Sequence, residues 1–264
     1  MTPPRIVATD LDGTLLDSTG TVSARTRRAL RRAREAGADI VFVTARPPRS
    51  VDPIAAMADV TGTAVCSNGA IVYDLDTREV TSTYALDPAA ARKLTETLRE
   101  ALPGVAFAVE TGRQILVEPG YTRRVLPDLP YTREVLVACD EDEPIVKLLA
   151  WSPAHAVDEM FTAAVAAVDG EAEVTHSGGT GLLEISAPGV TKAGTLAGLC
   201  AERGVDPAEV VAFGDMPNDL AVLAFAGAGY AMANAHHMVM AAVERRTLSN
   251  DDHGVAAVLE RLYA

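Results

Sequence analysis

The sequence predicts an α/β protein with a doubly wound, parallel core sheet that is interrupted by an inserted α+β domain. Short runs of branched aliphatic residues alternate with helical stretches before residue 70 and again after residue 191. That alternation is typical of parallel strands joined by crossover helices. Between the two regions, several short strands and two helices indicate an antiparallel arrangement. Polar clusters follow the predicted core strands, which is where such sheets bind ligands.

The amino-terminal region is predicted to contain three core strands and two helices. Ser23 is a favourable N-cap and Gly37 a favourable stop, so a helix is expected between them. A second, short helix is expected around residues 51–57, after two prolines. The three strands are predicted at residues 6–9, 40–43 and 64–66.

The middle region is predicted to be the inserted domain, covering residues 82–187. A hairpin of residues 71–73 and 80–84 leads into it, and a helix opens at Asp87 and continues to Leu102. A second helix is expected from residue 152 to residue 168. Further strands are predicted at residues 105–110, 114–118, 135–138, 145–151, 173–176 and 182–186.

The carboxy-terminal region returns to the strand–helix alternation and completes the core. A helix is expected over residues 192–203, with Gly204 as its stop. Buried strands are predicted at residues 210–213 and 229–232, each followed by helical sequence. Residues 1–81 and 188–264 are therefore predicted to form one discontinuous core domain.

The composition of the 264 residues excludes several classes of partner. There are 23 Lys and Arg residues against 36 Asp and Glu residues, which leaves a formal charge of -13. This balance argues against a non-specific nucleic-acid surface and against a membrane-surface role. The sequence has no signal-peptide pattern and no apolar stretch of about 20 residues. We therefore expect a cytoplasmic protein, either a monomer or a weak homodimer, with its three scattered cysteines buried as small apolar residues.

Two carboxylates follow the first strand. Asp10 and Asp12 are two residues apart, and a strand of period two would direct both side chains to the same side. Their repulsion would favour a cation between them, and an all-oxygen site suits Mg²⁺. The alternative interpretation is that Asp10 to Thr14 form only a polar turn.

A second polar cluster, at Asp215, Asn218 and Asp219, follows another buried strand. Parallel strands end at one edge of a sheet, so Asp215 is expected near the first pair of acids. Asp219 could instead be only a helix N-cap.

Two further polar residues suit a phosphate group. Thr44 offers a hydroxyl at a strand end, with free backbone N–H groups at the start of a helix behind it. Lys192 opens a helix, where its charge opposes the helix dipole, so an anionic partner would explain it. The alternative is that Lys192 is a solvated surface lysine.

Taken in order, these segments resemble the four motifs of the haloacid dehalogenase superfamily of phosphotransferases: Asp10 to Thr14, Thr44, Lys192, and Gly214 to Asp219. The chain looks most like the Cof-type branch, subfamily IIB. The resemblance implies a Rossmann-like core and a type IIB cap as the inserted domain. Four stretches also match that branch, namely residues 67–70, 189–194, 231–235 and 250–255.

The resemblance implies a role for each motif residue. Asp10 would be the nucleophile that forms an aspartyl-phosphate, and Asp12 the general acid and then the general base. Mg²⁺ would bind Asp10, the backbone carbonyl of Asp12 and Asp215, with Asp219 in support. The residues expected to bind phosphate or substrate are Leu11, Thr44, Ala45, Arg46, Lys192 and Asn218.

The implied function is a Mg²⁺-dependent phosphatase acting on a small phosphorylated metabolite, either a sugar phosphate or a phosphorylated cofactor. The second aspartate, Asp12, distinguishes this chain from the dehalogenases of the superfamily, which resemble it at the nucleophile only. A phosphomutase of the phosphomannomutase type and a non-catalytic phosphometabolite-binding protein are the alternatives. In the cap, the candidate substrate contacts are Arg113, Tyr121, Arg123, Arg124, His176 and Glu184, although exposed surface positions are the more common role for such residues.

Overall fold

A computed structural model describes residues 3–123, 126–176 and 181–264. Its eight α-helices in these ranges are α1 (Ala24–Glu35), α2 (Pro48–Ala58), α3 (Pro88–Ala101), α4 (Val157–Val168), α5 (Lys192–Glu202), α6 (Leu220–Phe225), α7 (His237–Ala242) and α8 (Gly254–Leu262). The first strands are β1 (Ile6–Thr9), β2 (Asp39–Val43), β3 (Thr63–Cys66), β4 (Ile71–Asp74) and β5 (Glu79–Thr83). The others are β6 (Ala106–Glu110), β7 (Ile115–Val117), β8 (Thr132–Glu134), β9 (Lys147–Trp151), β10 (Glu173–Thr175), β11 (Leu182–Ser186), β12 (Val210–Gly214) and β13 (Ala228–Ala231).

The first compact unit comprises residues 1–82 and 192–264 and contains a seven-stranded sheet in the order β13-β12-β1-β2-β3-β4-β5. Strands β13 to β3 of this order are parallel, and β4 pairs antiparallel with β3. The chain winds outward from β1 in one direction through β2 and β3, and in the other through β12 and β13. The strand order therefore reverses between β1 and β12, and crevices at such points bind ligands in open α/β sheets.

The second compact unit comprises residues 83–191 and contains a six-stranded sheet in the order β10-β11-β9-β6-β7-β8. All of its pairings are antiparallel except that of β7 with β8. Helices α3 and α4 pack on one face of this sheet through an apolar cluster that includes Leu94, Leu98, Phe107 and Met160. The units divide at residues 82/83 and 191/192. The predicted α/β class, with a doubly wound parallel core and an α+β insertion, is confirmed.

One predicted strand is wrong. The apolar character of residues 135–138 predicts an extended segment, but the strand in this region is β8, at Thr132–Glu134. Residues Ala138–Asp140 instead form a short 3₁₀-helix. Leu136 is largely exposed, whereas Ala138, two residues later, is buried. In a strand these two side chains would share one face, so the burial pattern of this apolar run does not fit a strand.

Two other sequence expectations have structural outcomes. Cys66, Cys139 and Cys200 are free and buried, as predicted. Within the described ranges, no helix has both the length and the apolar character needed to span a membrane.

Candidate active site

The loop after β1 directs its two carboxylates differently. The strand ends at Thr9, and Leu11–Leu15 form a tight helical turn in which Gly13 has a φ of 73°. Asp10 is buried, whereas Asp12 is exposed. The expectation that the strand period would align both side chains is therefore wrong, because the strand ends before both residues and the backbone turns between Asp10 and Gly13.

A cluster of three buried carboxylates lies where β1 and β12 end. Asp10, Asp215 and Asp219 each offer an oxygen atom within 4.8 Å of the others, and all three side chains are buried. Asp10 N–H donates to the carbonyl of Phe213 at 3.1 Å, which joins the ends of the two strands directly. The predicted convergence of the two acidic motifs at one edge of the sheet is therefore seen in the structure.

Lys192 lies among these acids. Its Nζ donates to Asp10 Oδ1 at 2.8 Å and to Asp219 Oδ1 at 2.7 Å. The side chain is only 2% exposed. The alternative of a solvated surface lysine is therefore wrong. A buried ammonium requires anionic partners, and Lys192 has two.

Burial and mutual repulsion alter the pKa values of this cluster. Burial raises the pKa of Asp10 well above its ordinary value, and the negative charges of Asp219 and Asp215 add to the increase while Lys192 opposes it. Burial and the Asp219 charge raise the pKa of Asp215 to about 7. Burial alone would lower the pKa of Lys192, but the charges of Asp10 and Asp219 raise it above its ordinary value. The lysine thus stays charged, whereas ionised forms of the acids are costly.

The donor set fits a divalent cation. Three buried carboxylates face one ammonium group, so two negative charges remain uncompensated when all three acids are ionised. A divalent cation would balance them, and an oxygen-only set suits Mg²⁺. Asp10, Asp215 and Asp219 are therefore the side chains that could hold it. The carboxylate of Asp12 is not part of the cluster. Asp12 could therefore bind the cation only through its backbone carbonyl.

Asp219 and Thr14 hold the cluster in place. Asp219 Oδ2 accepts hydrogen bonds from the backbone N–H groups of Asp215 (3.1 Å) and Met216 (3.0 Å). It thus stabilises the turn after β12 as the N3 residue of a capping box, and it makes no side-chain bond as an N-cap, while its other oxygen contacts Lys192. Thr14 Oγ1 donates to Asp215 Oδ1 at 2.8 Å. No local pattern in the sequence indicates this bond, because the two residues lie 201 positions apart in the chain.

Asp12 has a single strong partner among the hydrogen bonds described. Arg46 Nε donates to Asp12 Oδ2 and Arg46 Nη2 donates to Asp12 Oδ1, both at 2.6 Å. This bidentate geometry fixes the orientation of a planar carboxylate. The exposed fractions of the two side chains are 60% for Asp12 and 37% for Arg46. Arg46, expected to contact substrate, thus also contacts the proposed general acid.

The other expected phosphate-binding residues lie at the same strand ends. Thr44 is buried, and its Oγ1 accepts from the backbone N–H of Arg46 at 3.1 Å. Ala45 is half-buried. The side chain of Leu11 is fully buried, so this residue could contact a ligand only through its backbone. Asn218 Nδ2 donates to Asn68 Oδ1 at 3.1 Å, a pairing that no local pattern in the sequence indicates.

Two asparagines hold the turn that carries Asp12. Asn234 Nδ2 donates to the carbonyl of Gly13 at 2.8 Å, and Asn250 Nδ2 donates to the carbonyl of Leu16 at 2.9 Å. Asn234 Oδ1 also accepts from the backbone N–H of Asn250 at 3.0 Å. Both asparagines lie in stretches that resemble the Cof-type branch, but the resemblance assigns them no role.

Gly13 is expected to be intolerant of a side chain. A Cβ there would overlap Asp215 Oδ2, and the positive φ adds strain. We expect Gly13→Ala to lower turnover roughly tenfold or more, because Asp215 must move. Gly20→Ala is the matched control, since Gly20 also has a positive φ (77°) but a Cβ there meets nothing within 4 Å. It should lose only about 1–2 kcal/mol of unfolding free energy. Equal activities of the two variants would contradict this expectation.

The cap candidates have different environments within the second unit. Tyr121, His176 and Glu184 are buried, whereas Arg113 and Arg123 are exposed. The carboxylate of Glu184 forms a buried ion pair with Lys147. Burial raises the pKa of Tyr121 to about 12. The remaining candidate, Arg124, lies outside the described residues.

The chain is similar to one family profile and to several known proteins. The profile of the haloacid dehalogenase-like hydrolases matches residues 7–259. The 5-amino-6-(5-phospho-D-ribitylamino)uracil phosphatase YitU of Bacillus subtilis (strain 168) is 29% identical over 100% of this chain and 99% of its own. The pyridoxal phosphate phosphatase YbhA of Escherichia coli (strain K12) is 27% identical, with 98% of each chain covered. A crystal structure of a haloacid dehalogenase-like hydrolase from Bacteroides thetaiotaomicron superposes with a TM-score of 0.80 at 28% identity, covering 98% and 99% of the two chains. With the match extending over nearly the whole sequence, the chain belongs to the haloacid dehalogenase-like hydrolase family.

Proposed function

We propose that this protein is a Mg²⁺-dependent phosphoric monoester hydrolase that acts through an aspartyl-phosphate on Asp10. The observation that carries this proposal is the buried cluster at the switch point of the core sheet. There Lys192 bridges Asp10 and Asp219, and Asp215 completes a set of oxygen ligands. Phosphoryl transfer needs mainly positioning and neutralisation of charge, and a lysine with a divalent cation supplies both.

The proposed first step is attack by a carboxylate oxygen of Asp10 on phosphorus. The P–O bond to the leaving alcohol breaks, and Asp12 donates a proton to the departing oxygen. Lys192 holds Asp10 by a hydrogen bond to Oδ1, which fixes the orientation of the carboxylate. Bound Mg²⁺ would neutralise charge on the phosphoryl group and keep Asp10 ionised.

The proposed second step is hydrolysis of the acyl phosphate. Asp12, now ionised, accepts a proton from water as the water oxygen attacks phosphorus and the P–O bond to Asp10 breaks, so inorganic phosphate leaves and the Asp10 carboxylate is restored. The guanidinium of Arg46 forms two hydrogen bonds with the Asp12 carboxylate and would set its orientation. Thr44, Lys192 and Asn218 would hold the phosphoryl oxygens, with the backbone of Leu11 and Ala45 and the side chain of Arg46 around them.

The substrate is proposed to be a small phosphorylated metabolite, either a sugar phosphate or a phosphorylated cofactor. Two relatives are named as phosphatases of such compounds. One is named for 5-amino-6-(5-phospho-D-ribitylamino)uracil and the other for pyridoxal phosphate. Both relatives align over nearly their full lengths, so the comparison includes the region that corresponds to the second unit.

A phosphate-release assay over a panel of phosphometabolites tests this function. We expect at least one sugar phosphate or phosphorylated cofactor to release inorganic phosphate with Mg²⁺ and none to do so in EDTA. Transfer of the phosphoryl group to another position of the substrate without phosphate release would identify a phosphomutase. Binding of the esters without either reaction would identify a sensor, and both results would contradict the proposal.

Mg²⁺ is expected to raise the thermal stability of the protein more at pH 8 than at pH 5.5. The folded-state pKa of Asp215 is raised from 3.8 to about 7, so the metal-free fold loses stability as pH rises through this interval. At pH 5.5 a proton occupies Asp215 and competes with the metal, whereas at pH 8 the cation relieves the repulsion between carboxylates. Thermal unfolding with MgCl₂, against NaCl of equal ionic strength, measures the effect.

The Asp215→Asn variant provides the control for this measurement. In this variant the Mg²⁺-induced increase in melting temperature should be nearly the same at pH 8 and pH 5.5, because the substitution removes the carboxyl whose pKa is about 7. An equal Mg²⁺-induced increase in melting temperature at both pH values would contradict the assignment of these acids as metal ligands.

A further inference from the structure

The loop that follows β3 has an unusual backbone. Ser67, Asn68 and Gly69 have φ values of 52°, 58° and 102°, and we call these three residues the left-handed loop. Positive φ is uncommon for residues other than glycine and costs about 1–3 kcal/mol at each position. Ser67 and Asn68 are nevertheless buried, at 0% and 2% exposure. Consecutive strained residues persist only where surrounding contacts hold them, and they concentrate at functional sites.

The backbone of the left-handed loop is bonded to two elements of the site. Ser67 N–H donates to the carbonyl of Arg46 at 2.9 Å, and Asn68 N–H donates to the carbonyl of Thr44 at 3.0 Å. These bonds fix the loop that carries the hydroxyl proposed to bind phosphate. Thr195 Oγ1, from the first turn of α5, donates to the carbonyl of Gly69 at 2.8 Å. Because α5 begins at Lys192, this bond also anchors the helix that supplies the buried ammonium.

The Asn68 side chain reaches a third element of the site. Its Oδ1 accepts a hydrogen bond from Asn218 Nδ2 at 3.1 Å, across 150 residues of sequence. One of the two N–H groups of Asn218 is thus committed to Asn68, and the plane of the amide is fixed. Among the described residues, Asn218 Oδ1 and Ser67 Oγ are buried without a hydrogen-bond partner. Such atoms are costly, and of the two only the Ser67 hydroxyl can donate to a phosphoryl oxygen, because the Asn218 oxygen is an acceptor.

We infer that Asn68 is a positioning residue for phosphoryl binding: it orients the Asn218 amide so that the second N–H group meets a phosphoryl oxygen. The left-handed backbone places the Asn68 side chain toward Asn218 while its N–H holds the Thr44 loop. This inference rests on the proposed function, in which Thr44, Lys192 and Asn218 bind the phosphoryl group. Asparagine suits the position because it tolerates positive φ better than most residues and carries an acceptor.

A double-mutant cycle tests the inference directly. The variants are Asn68→Gly, Asn218→Ala and the double variant, and the probe is inorganic phosphate titrated calorimetrically in the presence of Mg²⁺. Glycine removes the amide while permitting positive φ, so the backbone conformation of the left-handed loop should persist. We expect phosphate affinity to fall roughly 10- to 100-fold in Asn218→Ala and about 3- to 10-fold in Asn68→Gly. In the Asn218→Ala background, the Asn68→Gly change should alter affinity by less than about twofold.

Asp59→Gly is the matched control. Asp59 also adopts a left-handed conformation (φ 56°) but lies at the exposed end of α2. Phosphate affinity should be unchanged in this variant. For an active substrate, Asn68→Gly should raise KM more than it lowers kcat, because the affected contact is made to the bound phosphoryl group in both ground and transition states. If the role of Asn68 were purely structural, Asn68→Gly would lower the melting temperature without raising KM more than it lowers kcat.

The outcomes separate this inference from the proposed function. Additive losses of affinity in the double variant would overturn the positioning role of Asn68, even if the wild-type protein hydrolyses esters. Coupled losses in a protein that binds phosphate but hydrolyses no ester would overturn the proposed function and support the role of Asn68. Wild-type affinity in Asn218→Ala, or no phosphate binding by the wild-type protein, would overturn the inference itself.

Discussion

The Asp10→Asn variant is expected to lose turnover by roughly 10⁴-fold or more, because an amide cannot act as the nucleophile. The loss should appear in kcat, and the substrate should still bind, since Lys192 and the proposed phosphate-binding residues remain. Steady-state phosphate release with Mg²⁺, on any substrate that the wild-type protein hydrolyses, measures the effect. Activity near the wild-type level would exclude Asp10 as the nucleophile.

Stability distinguishes this catalytic loss from damage to the fold. Burial and the neighbouring carboxylates raise the pKa of Asp10 above its ordinary value, so its ionised form destabilises the metal-free protein at neutral pH. The neutral amide should therefore leave the melting temperature of the metal-free protein unchanged or higher. Asp142→Asn, at an exposed carboxylate of the second unit, serves as the matched control and should change neither activity nor stability.

The Lys192→Met variant is expected to show the largest loss of stability. It removes the ammonium group that contacts two buried carboxylates, and breaking such a pair costs about 3–5 kcal/mol in unfolding free energy. The reason is that Asp10 and Asp219 would lose the one ion-pair partner that they have among the described residues. Denaturant unfolding in EDTA measures the loss, and saturating Mg²⁺ should recover part of it because the cation reduces the same repulsion.

Lys93→Met provides the matched comparison. Lys93 Nζ lies 2.6 Å from Glu171 Oε1, a shorter distance than either contact of Lys192, but both side chains are more than half exposed. Exposed pairs of this kind contribute about 0–1 kcal/mol, so the variant should be close to wild type. The Lys192→Met/Asp10→Asn double variant should recover stability relative to Lys192→Met, since one unpaired buried charge is removed. Equal losses of unfolding free energy in Lys192→Met and Lys93→Met would show that burial of the acid cluster does not determine how much its lysine contributes to stability.

The formal charge of -13 illustrates why a global charge says little about a site. It argues against polyanionic partners, yet the proposed substrate is an anion. Three of the negative charges are concentrated at Asp10, Asp215 and Asp219. A lysine and a divalent cation would neutralise these three charges and remove the local barrier to binding phosphate. The affinity for phosphate esters should therefore depend on the metal.

The polar ends of the core strands are predictable from the sequence. Each strand is short, apolar and closed by polar residues, and parallel strands bring those ends to one edge. The amino-acid pattern alone is therefore enough to place Asp10 near Asp215. The segment at residues 135–138 is not predictable in the same way, because a short apolar run at the edge of a sheet has no partner in its local sequence that sets its register.

What the sequence by itself determined is the fold class, the family and the set of residues at the strand ends, since all of these depend on local patterns and their order. What only the tertiary structure decided is the direction of the side chains and the identity of their partners. The backbone after β1 turns through Gly13, so Asp12 meets Arg46, outside the buried cluster that contains Asp10. Lys192, Thr14 and Asn218 have partners that lie 182, 201 and 150 residues away in the chain. Such contacts form only when strands that are distant in sequence pair in the sheet, and no periodicity in a linear sequence encodes them.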